Sequence, residues 1–190
     1  MHSAPPRYTA TAIAFHWLLA AALLGMMALG MTMTELPLSP TRLKLFNWHK
    51  WAGITIAVLS LLRLVWRLTH RPPPDTELPP WQARAAHAAH VALYVLFFAV
   101  PLAGWMYSSA AGVPVVWFGV LPLPDLVPAD RELAQTLKAA HHALAIAMAA
   151  IVAVHVAAAL KHHWFDGIGT LGRMWPWPLR SMRALRPLRG

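Results

Sequence analysis

Residues Leu137 to Trp164 read LKAAHHALAIAMAAIVAVHVAAALKHHW. The stretch is almost all Ala, Val, Ile and Leu, and as one helix it is long enough to cross a bilayer. Yet it carries His141, His142, His155, His162 and His163. His141 and His155 are fourteen residues apart. In a helix that puts them within about 40° of one face and roughly 21 Å apart along the axis. His142 falls about 140° from His155, near the opposite face. Ionisable groups in an apolar span are costly, so a functional role is their default reading. A helix with inward histidines near both ends can hold two metal cofactors, one toward each side of a membrane. The bland alternative is a histidine bonded to a neighbouring helix or lying among headgroups. Partners elsewhere in the chain decide between the two.

Of the 190 residues, 58% are hydrophobic and only 12% charged. That balance excludes an ordinary soluble domain and points to a membrane protein. There are no cysteines, which excludes disulfides, thiolate metal sites, iron–sulfur clusters and covalent haem attachment. The net charge of +9 reports topology and lipid contact rather than nucleic acid, for which no motif is present.

Four apolar stretches predict one all-α membrane domain over residues 1–190, a four-transmembrane-helix bundle. Its helices are expected at about 9–33, 45–68, 83–108 and 137–163, followed by a basic tail over 164–190. The first stretch is too long for a signal segment and no small-residue cleavage site follows it, so it reads as a retained span. Lys50 at one end of helix two, and Arg63 and Arg67 at the other, extend its short uncharged core by snorkelling. A proline-rich connector, HRPPPDTELPPWQ, precedes helix three, in which Pro101 is expected to introduce a kink. The loop over 109–136 holds Trp117 and Phe118, and an amphipathic segment there would lie on the membrane surface or cover a cofactor edge.

With the N-terminus inside, Arg7, Arg63, Arg67, Arg71, Arg84, Lys161, Arg173, Arg180, Arg183, Arg186 and Arg189 fall on the cytoplasmic side. Arg42, Lys44, Lys50, Arg131 and Lys138 fall outside. Eleven cations against five favour cytoplasmic termini. This topology sets depths. His16 of helix one and His155 lie near the inner face, and His49 of helix two and His141 near the outer. Each pair can clamp a flat macrocycle such as haem between two helices. Zinc competes less well, because it takes three or four close protein ligands. His87 and His90, also near the inner face, are rival ligands or propionate partners. Arg63 and Arg67 suit the carboxylates of an inner haem, and Lys138 or Lys50 those of an outer one.

These features resemble the bacterial cytochrome b561 family of di-haem membrane cytochromes, close to its superoxide:ubiquinone oxidoreductases. The resemblance rests on Phe15–His16–Trp17, His49, Arg63 with Arg67, the His87/His90 pair and PVVWFG over 114–119. It also rests on Leu137–Lys138 before His141, the step to His155, AAALKHHWF, and LGRMWP over 171–176. It covers nearly the whole chain. It implies two b haems, ligated by His16 with His155 (inner) and His49 with His141 (outer). It further implies that Lys138 lies near the outer haem and that His162 serves a cytoplasmic-side quinone site. His162 follows His155 by seven residues, nearly on the same face, where it can hydrogen-bond a ubiquinone carbonyl and relay a proton.

The expected function is oxidation of periplasmic superoxide to oxygen, with electrons passed through the haems to ubiquinone in the bacterial inner membrane. Lys138 and Lys50, helped by Arg42 and Lys44, would attract the anion. The alternative is a cytochrome b subunit that moves electrons between quinol and a periplasmic redox partner. A non-redox haem or metal transporter is a third reading. It needs a continuous polar path, which the spans do not offer.

Overall fold

Why the helices begin where they do is a matter of caps. The computed structural model describes residues 7–73, 78–166 and 170–176. Its elements are α1 (Ala10–Glu35), α2 (Pro40–Thr69), α3 (Pro80–Ala110), β1 (Val116–Trp117), β2 (Leu121–Pro122), α4 (Arg131–Trp164) and α5 (Thr170–Met174). The expected starts of the second, third and fourth helices, 45, 83 and 137, were too late. At α2 the Ser39 hydroxyl accepts the Arg42 N–H, and Pro40 takes the first helical position, where a missing N–H costs nothing. Pro80 does the same for α3. At α4 the Asp130 carboxylate accepts the Leu133 N–H at 2.7 Å. Glu132 sits in the first turn of α4, and Lys161, His162 and His163 in the last, each complementing the helix dipole.

The four long helices run 26, 30, 31 and 34 residues, and all four are long and apolar enough to cross a membrane. At 1.5 Å per residue they exceed a hydrocarbon core of about 30 Å, so their ends stand in the headgroup zones. They alternate in direction. Trp66, late in α2, donates to Thr9 at the head of α1, and Asp130 N–H, before α4, donates to Ala110 O at the end of α3. Large apolar side chains point outward, Leu24, Ile146 and Val154 among them, as lipid rather than water requires. The buried cluster is small and central: Leu19, Leu23, Ile56, Leu96, Phe97 and Met148. Met148 lies seven residues from both His141 and His155, so packed side chains fill the level between them.

The loop after α3, expected to hold a short amphipathic segment, folds back on itself. It is a hairpin, with Val116 paired to Pro122 and Trp117 to Leu121. Its turn places Phe118 and Gly119 at φ 52° and 73°, which glycine adopts freely and phenylalanine only when its surroundings hold it. Those surroundings are α2. Trp51 Nε1 donates to Val116 O at 2.6 Å, Trp117 Nε1 to Thr55 Oγ1 at 3.2 Å, and Lys50 Nζ to Pro114 O at 3.1 Å. The hairpin therefore packs on α2 along Lys50, Trp51 and Thr55, beside His49.

The segment after α4 is more than a basic tail. Residues 170–176 return to the head of α1. Trp17 Nε1 donates to Met174 O at 2.7 Å, Tyr8 N–H to Arg173 O, and Arg7 to Trp175 O. Trp175 meets Trp17 edge to face, and the buried Arg173 lies over Tyr8. Trp177, Arg180, Arg183, Arg186, Arg189 and connector residues 74–77 lie outside the described residues.

Candidate functional site

Antiparallel packing brings four of the sequence-selected histidines together as two pairs. His16 of α1 and His155 of α4 have ring centroids 6.4 Å apart at the end where α1 begins. His49 of α2 and His141 of α4 have centroids 6.1 Å apart at the hairpin end. Two imidazoles bound on opposite sides of one metal, at about 2.0–2.1 Å each, have centroids roughly 6.4 Å apart. Interplanar angles of 58° and 83° fit as well, because such ligands rotate freely about the common axis. Among the described residues no group of three or more His, Asp or Glu is gathered to hold a bare metal ion. A metal brought within a planar macrocycle needs only two.

The hydrogen bonds define which nitrogen each ring offers. His141 Nδ1 lies 2.9 Å from Val100 O. A carbonyl only accepts, so Nδ1 carries the hydrogen and Nε2 is left with its lone pair. That is the usual arrangement of a metal-ligating histidine. His49 Nδ1 is buried and has no partner among the described residues, an orphaned polar atom at a place where one is costly. Two helical glycines make room for these rings. A Cβ at Gly104 would stand 3.0 Å from His141 Cε1, and one at Gly30 3.3 Å from His49 Cε1. Sequence reasoning singled out neither. Gly25 faces open space, and Gly53 only approaches Met26. The available signal was that a glycine inside a helix needs a reason.

The other pair is more crowded. Arg63 Nη2 lies 3.3 Å from His16 Nδ1. Guanidinium only donates, so this contact puts the His16 hydrogen on Nε2. Ligation through Nε2 would move that hydrogen to Nδ1 and turn Arg63 away, toward an acidic group. Arg63 and Arg67 both lie over the Tyr94 ring, and with Arg7, His70 and Arg71 they line a cavity of about 160 Å³. His90 of α3 is 5.4 Å from His155. That is too close for the two rings to flank one metal at full bond lengths. His90 and His87 are also exposed, whereas His16 and His155 are half-buried. His142 is exposed too, as its position on the far face of α4 implied.

Lys50 and Lys138 share the hairpin end but have different surroundings. Lys50 is tied to the hairpin through Pro114 O. Lys138 is exposed and lines a cavity of about 540 Å³ with Tyr107, Asp130, Arg131 and Gln135. Arg42 and Lys44, nearby on α2, lie over Phe46 and Trp48.

His162 lies beyond His155 on α4, with its side chain only 14% exposed. Its Nδ1 is 2.7 Å from Asp166 Oδ2, which also accepts from Lys161 Nζ at 2.7 Å. The sequence reading did not include Asp166, although the i,i+4 spacing of His162 and Asp166 was a usable signal. Hydrogen bonds from Lys161 and then His162 hold the Asp166 carboxyl below its ordinary value of 3.8. The contact should therefore persist through the ordinary carboxylate range and be lost only as pH falls through the lowered value. A carboxyl titration of Asp166 by carbon NMR should show a midpoint below 3.8; a midpoint at or above it would remove the contact from the folded protein.

The comparisons bear on this geometry directly. The family model for prokaryotic cytochrome b561 matches residues 7–177. The chain is similar to cytochrome b561 homolog 2 of Escherichia coli K12, at 36% identity over 172 residues, 90% of this chain and 92% of that protein. It is 36% identical over 129 residues to a protein of Yersinia pestis named probable superoxide oxidase CybB, covering 67% of this chain and 73% of that one. Cytochrome b561 homolog 1 of E. coli K12 is 30% identical over 178 residues, 90% and 97% of the two chains. Four apolar helices, two imidazole pairs at metal-bridging distance and a match over nearly the full length agree: the chain belongs to the prokaryotic cytochrome b561 family, multi-pass membrane proteins of electron transfer that use b-type haem.

Proposed function

We propose that this chain oxidises superoxide on the outer side of the bacterial inner membrane and delivers the electrons to ubiquinone near the inner face. Two b haems are held, one by His49 with His141 and one by His16 with His155, and both termini are cytoplasmic. The observation that carries the reading is the pair of imidazole couples, one at each end of the bundle, each at the spacing of two ligands on one metal. The bound haems supply reversible one-electron chemistry. The residues of the chain do the rest.

Lys138, exposed beside a cavity, and Lys50 provide positive charge at the hairpin end, with Arg42 and Lys44 behind them. Such a field raises the encounter rate of a small anion. Two superoxide anions each give up one electron and leave as dioxygen. Arg63 and Arg67 pair with haem carboxylates at the inner end. His162 hydrogen-bonds a quinone oxygen and hands over protons, so that one quinone takes up two electrons and two protons and leaves as quinol. Similarity to a relative named for superoxide oxidation supports this choice of donor.

A second reading, a subunit that moves electrons between quinol and a periplasmic redox partner, is favoured by one feature. The hairpin presents Phe118, Val120 and Leu121 outward, an apolar tip suited to docking. The deciding experiment follows the absorbance of purified protein with ubiquinone while superoxide is generated. Rapid haem reduction and quinol formation, abolished by superoxide dismutase, are expected. Haem that stays oxidised under superoxide but is reduced by quinol would support the subunit instead. In the same assay His162→Ala should keep both haems and slow quinone reduction by on the order of 10²-fold. Unchanged quinone turnover would remove His162 from the site.

A further inference from the structure

His162 and Asp166 form an arrangement that the helix alone does not require. After Trp164 the chain leaves α4 through Phe165, whose N–H returns to Lys161 O, and the Asp166 N–H reaches the same carbonyl at 3.2 Å. This turn swings the Asp166 carboxylate back under the last helical turn. One oxygen, Oδ2, then meets both Lys161 Nζ and His162 Nδ1 at 2.7 Å. The exposures are graded: 53% for Lys161, 27% for Asp166 and 14% for His162. The carboxylate thus joins a wet ammonium group to a sheltered imidazole through one oxygen.

We propose that Asp166 is a positioning residue for the quinone chemistry: it fixes the hydrogen of His162 on Nδ1 and leaves Nε2 as the nitrogen that exchanges protons with the quinone. This rests on the reading that His162 serves the quinone. An ionised carboxylate only accepts hydrogen bonds, so Nδ1 keeps its hydrogen whether the ring is neutral or an imidazolium. Every proton that comes or goes does so at Nε2. In the forward direction the Nε2–H bond breaks and a quinone O–H bond forms, while the electrons arrive through the family's electron-transfer activity. The neutral ring then takes a proton from water at the same nitrogen, and a second cycle completes the quinol. Lys161 balances the carboxylate's charge, so Asp166 can stay ionised beside an imidazolium or a neutral ring. A carboxylate that orients a histidine in this way changes activity through ring tautomer and angle, without touching the substrate.

The test uses the full-length haem-loaded protein in detergent, with short-chain ubiquinol as the probe and haem reduction as the readout, so that it does not depend on superoxide. Asp166→Asn keeps the shape, but its amide can turn either an acceptor or a donor toward Nδ1. It should lower the maximal rate about 10- to 100-fold, the range for losing a carboxylate that orients a histidine, with little change in KM. Asp166→Glu should recover most of that loss. Nitrogen NMR of histidine-labelled protein, with His162→Ala used to assign the signal, should show His162 protonated at Nδ1 in the native chain and a mixture in Asp166→Asn. If His162→Ala is slow but Asp166→Asn matches the native rate, the positioning role is overturned and the quinone reading stands. If His162→Ala is itself unimpaired, the quinone reading fails and this inference with it. A rise in KM alone, with the Nδ1 hydrogen retained, would mark Asp166 as merely structural and overturn the proposal. Should Asp166→Asn fail to assemble with haem, the tautomer in the native chain decides: hydrogen on Nδ1 supports the assignment, hydrogen on Nε2 overturns it.

Discussion

If each histidine couple holds one haem, as proposed, replacing His141 with alanine is expected to halve the haem bound per chain. The side chain serves two elements at once. Its ring stands 6.1 Å from that of His49, centroid to centroid, and its Nδ1 is anchored on Val100 O of α3 at 2.9 Å. Truncation removes a proposed ligand and leaves His49, whose Nδ1 has no partner among the described residues, alone on the far side. Pyridine haemochrome quantitation should fall by about half, and superoxide should no longer reduce the remaining haem, whereas ubiquinol still should. A smaller change should act on the same point. In Gly104→Ala the new methyl would stand 3.0 Å from Cε1 and 3.1 Å from Nδ1 of His141. Because the bond to Val100 O holds the ring, the ring cannot give way without losing its orientation. Weakened haem retention at that one site is the expected result. A full haem complement in His141→Ala would overturn the outer pair.

The second large effect separates His16 from His90. Both approach His155, at 6.4 and 5.4 Å between ring centroids. Only the longer distance allows a metal between the rings with ordinary bonds. On the proposed ligation, His16→Ala should therefore lose the haem at the end where α1 begins, and with it electron exchange with ubiquinol. His90→Ala should keep both haems and shift at most the inner haem's spectrum and potential. The reverse result would reassign the ligand to α3. Arg63 provides an independent readout. It touches His16 Nδ1, and the proposed ligation through Nε2 would require it to release that atom, so Arg63→Met should affect the haem assigned to His16 and His155 while sparing the other.

The four spans were legible because apolar runs longer than a bilayer is thick have few other solutions. The paired histidines were legible because alternation of direction converts sequence position into depth. The helix starts were less so. Ser39–Pro40, Pro79–Pro80 and Asp130 look like loop residues, yet each belongs at a helix head for its own reason: a hydroxyl or carboxylate that caps, or a ring with no N–H to satisfy. The hairpin was hidden because strands of two residues have no period to read. It is held by indole donors to α2, a tertiary effect. The docking of residues 170–176 on Trp17 is likewise a contact across 157 positions, which no local pattern encodes. Gly30, Gly104 and Asp166 matter through what stands opposite them, and sequence alone does not show that.

The placement of His141 and His155 on one helix makes α4 a ruler. Loops elsewhere can lengthen or shorten without disturbing either pair. A single residue inserted or deleted between positions 142 and 154 would swing one histidine about 100° around the axis relative to the other. One pair would then be lost whatever residue was added, even alanine in a stretch already rich in it. Tolerance to substitution along this interval should be broad, and tolerance to a change of length close to nil.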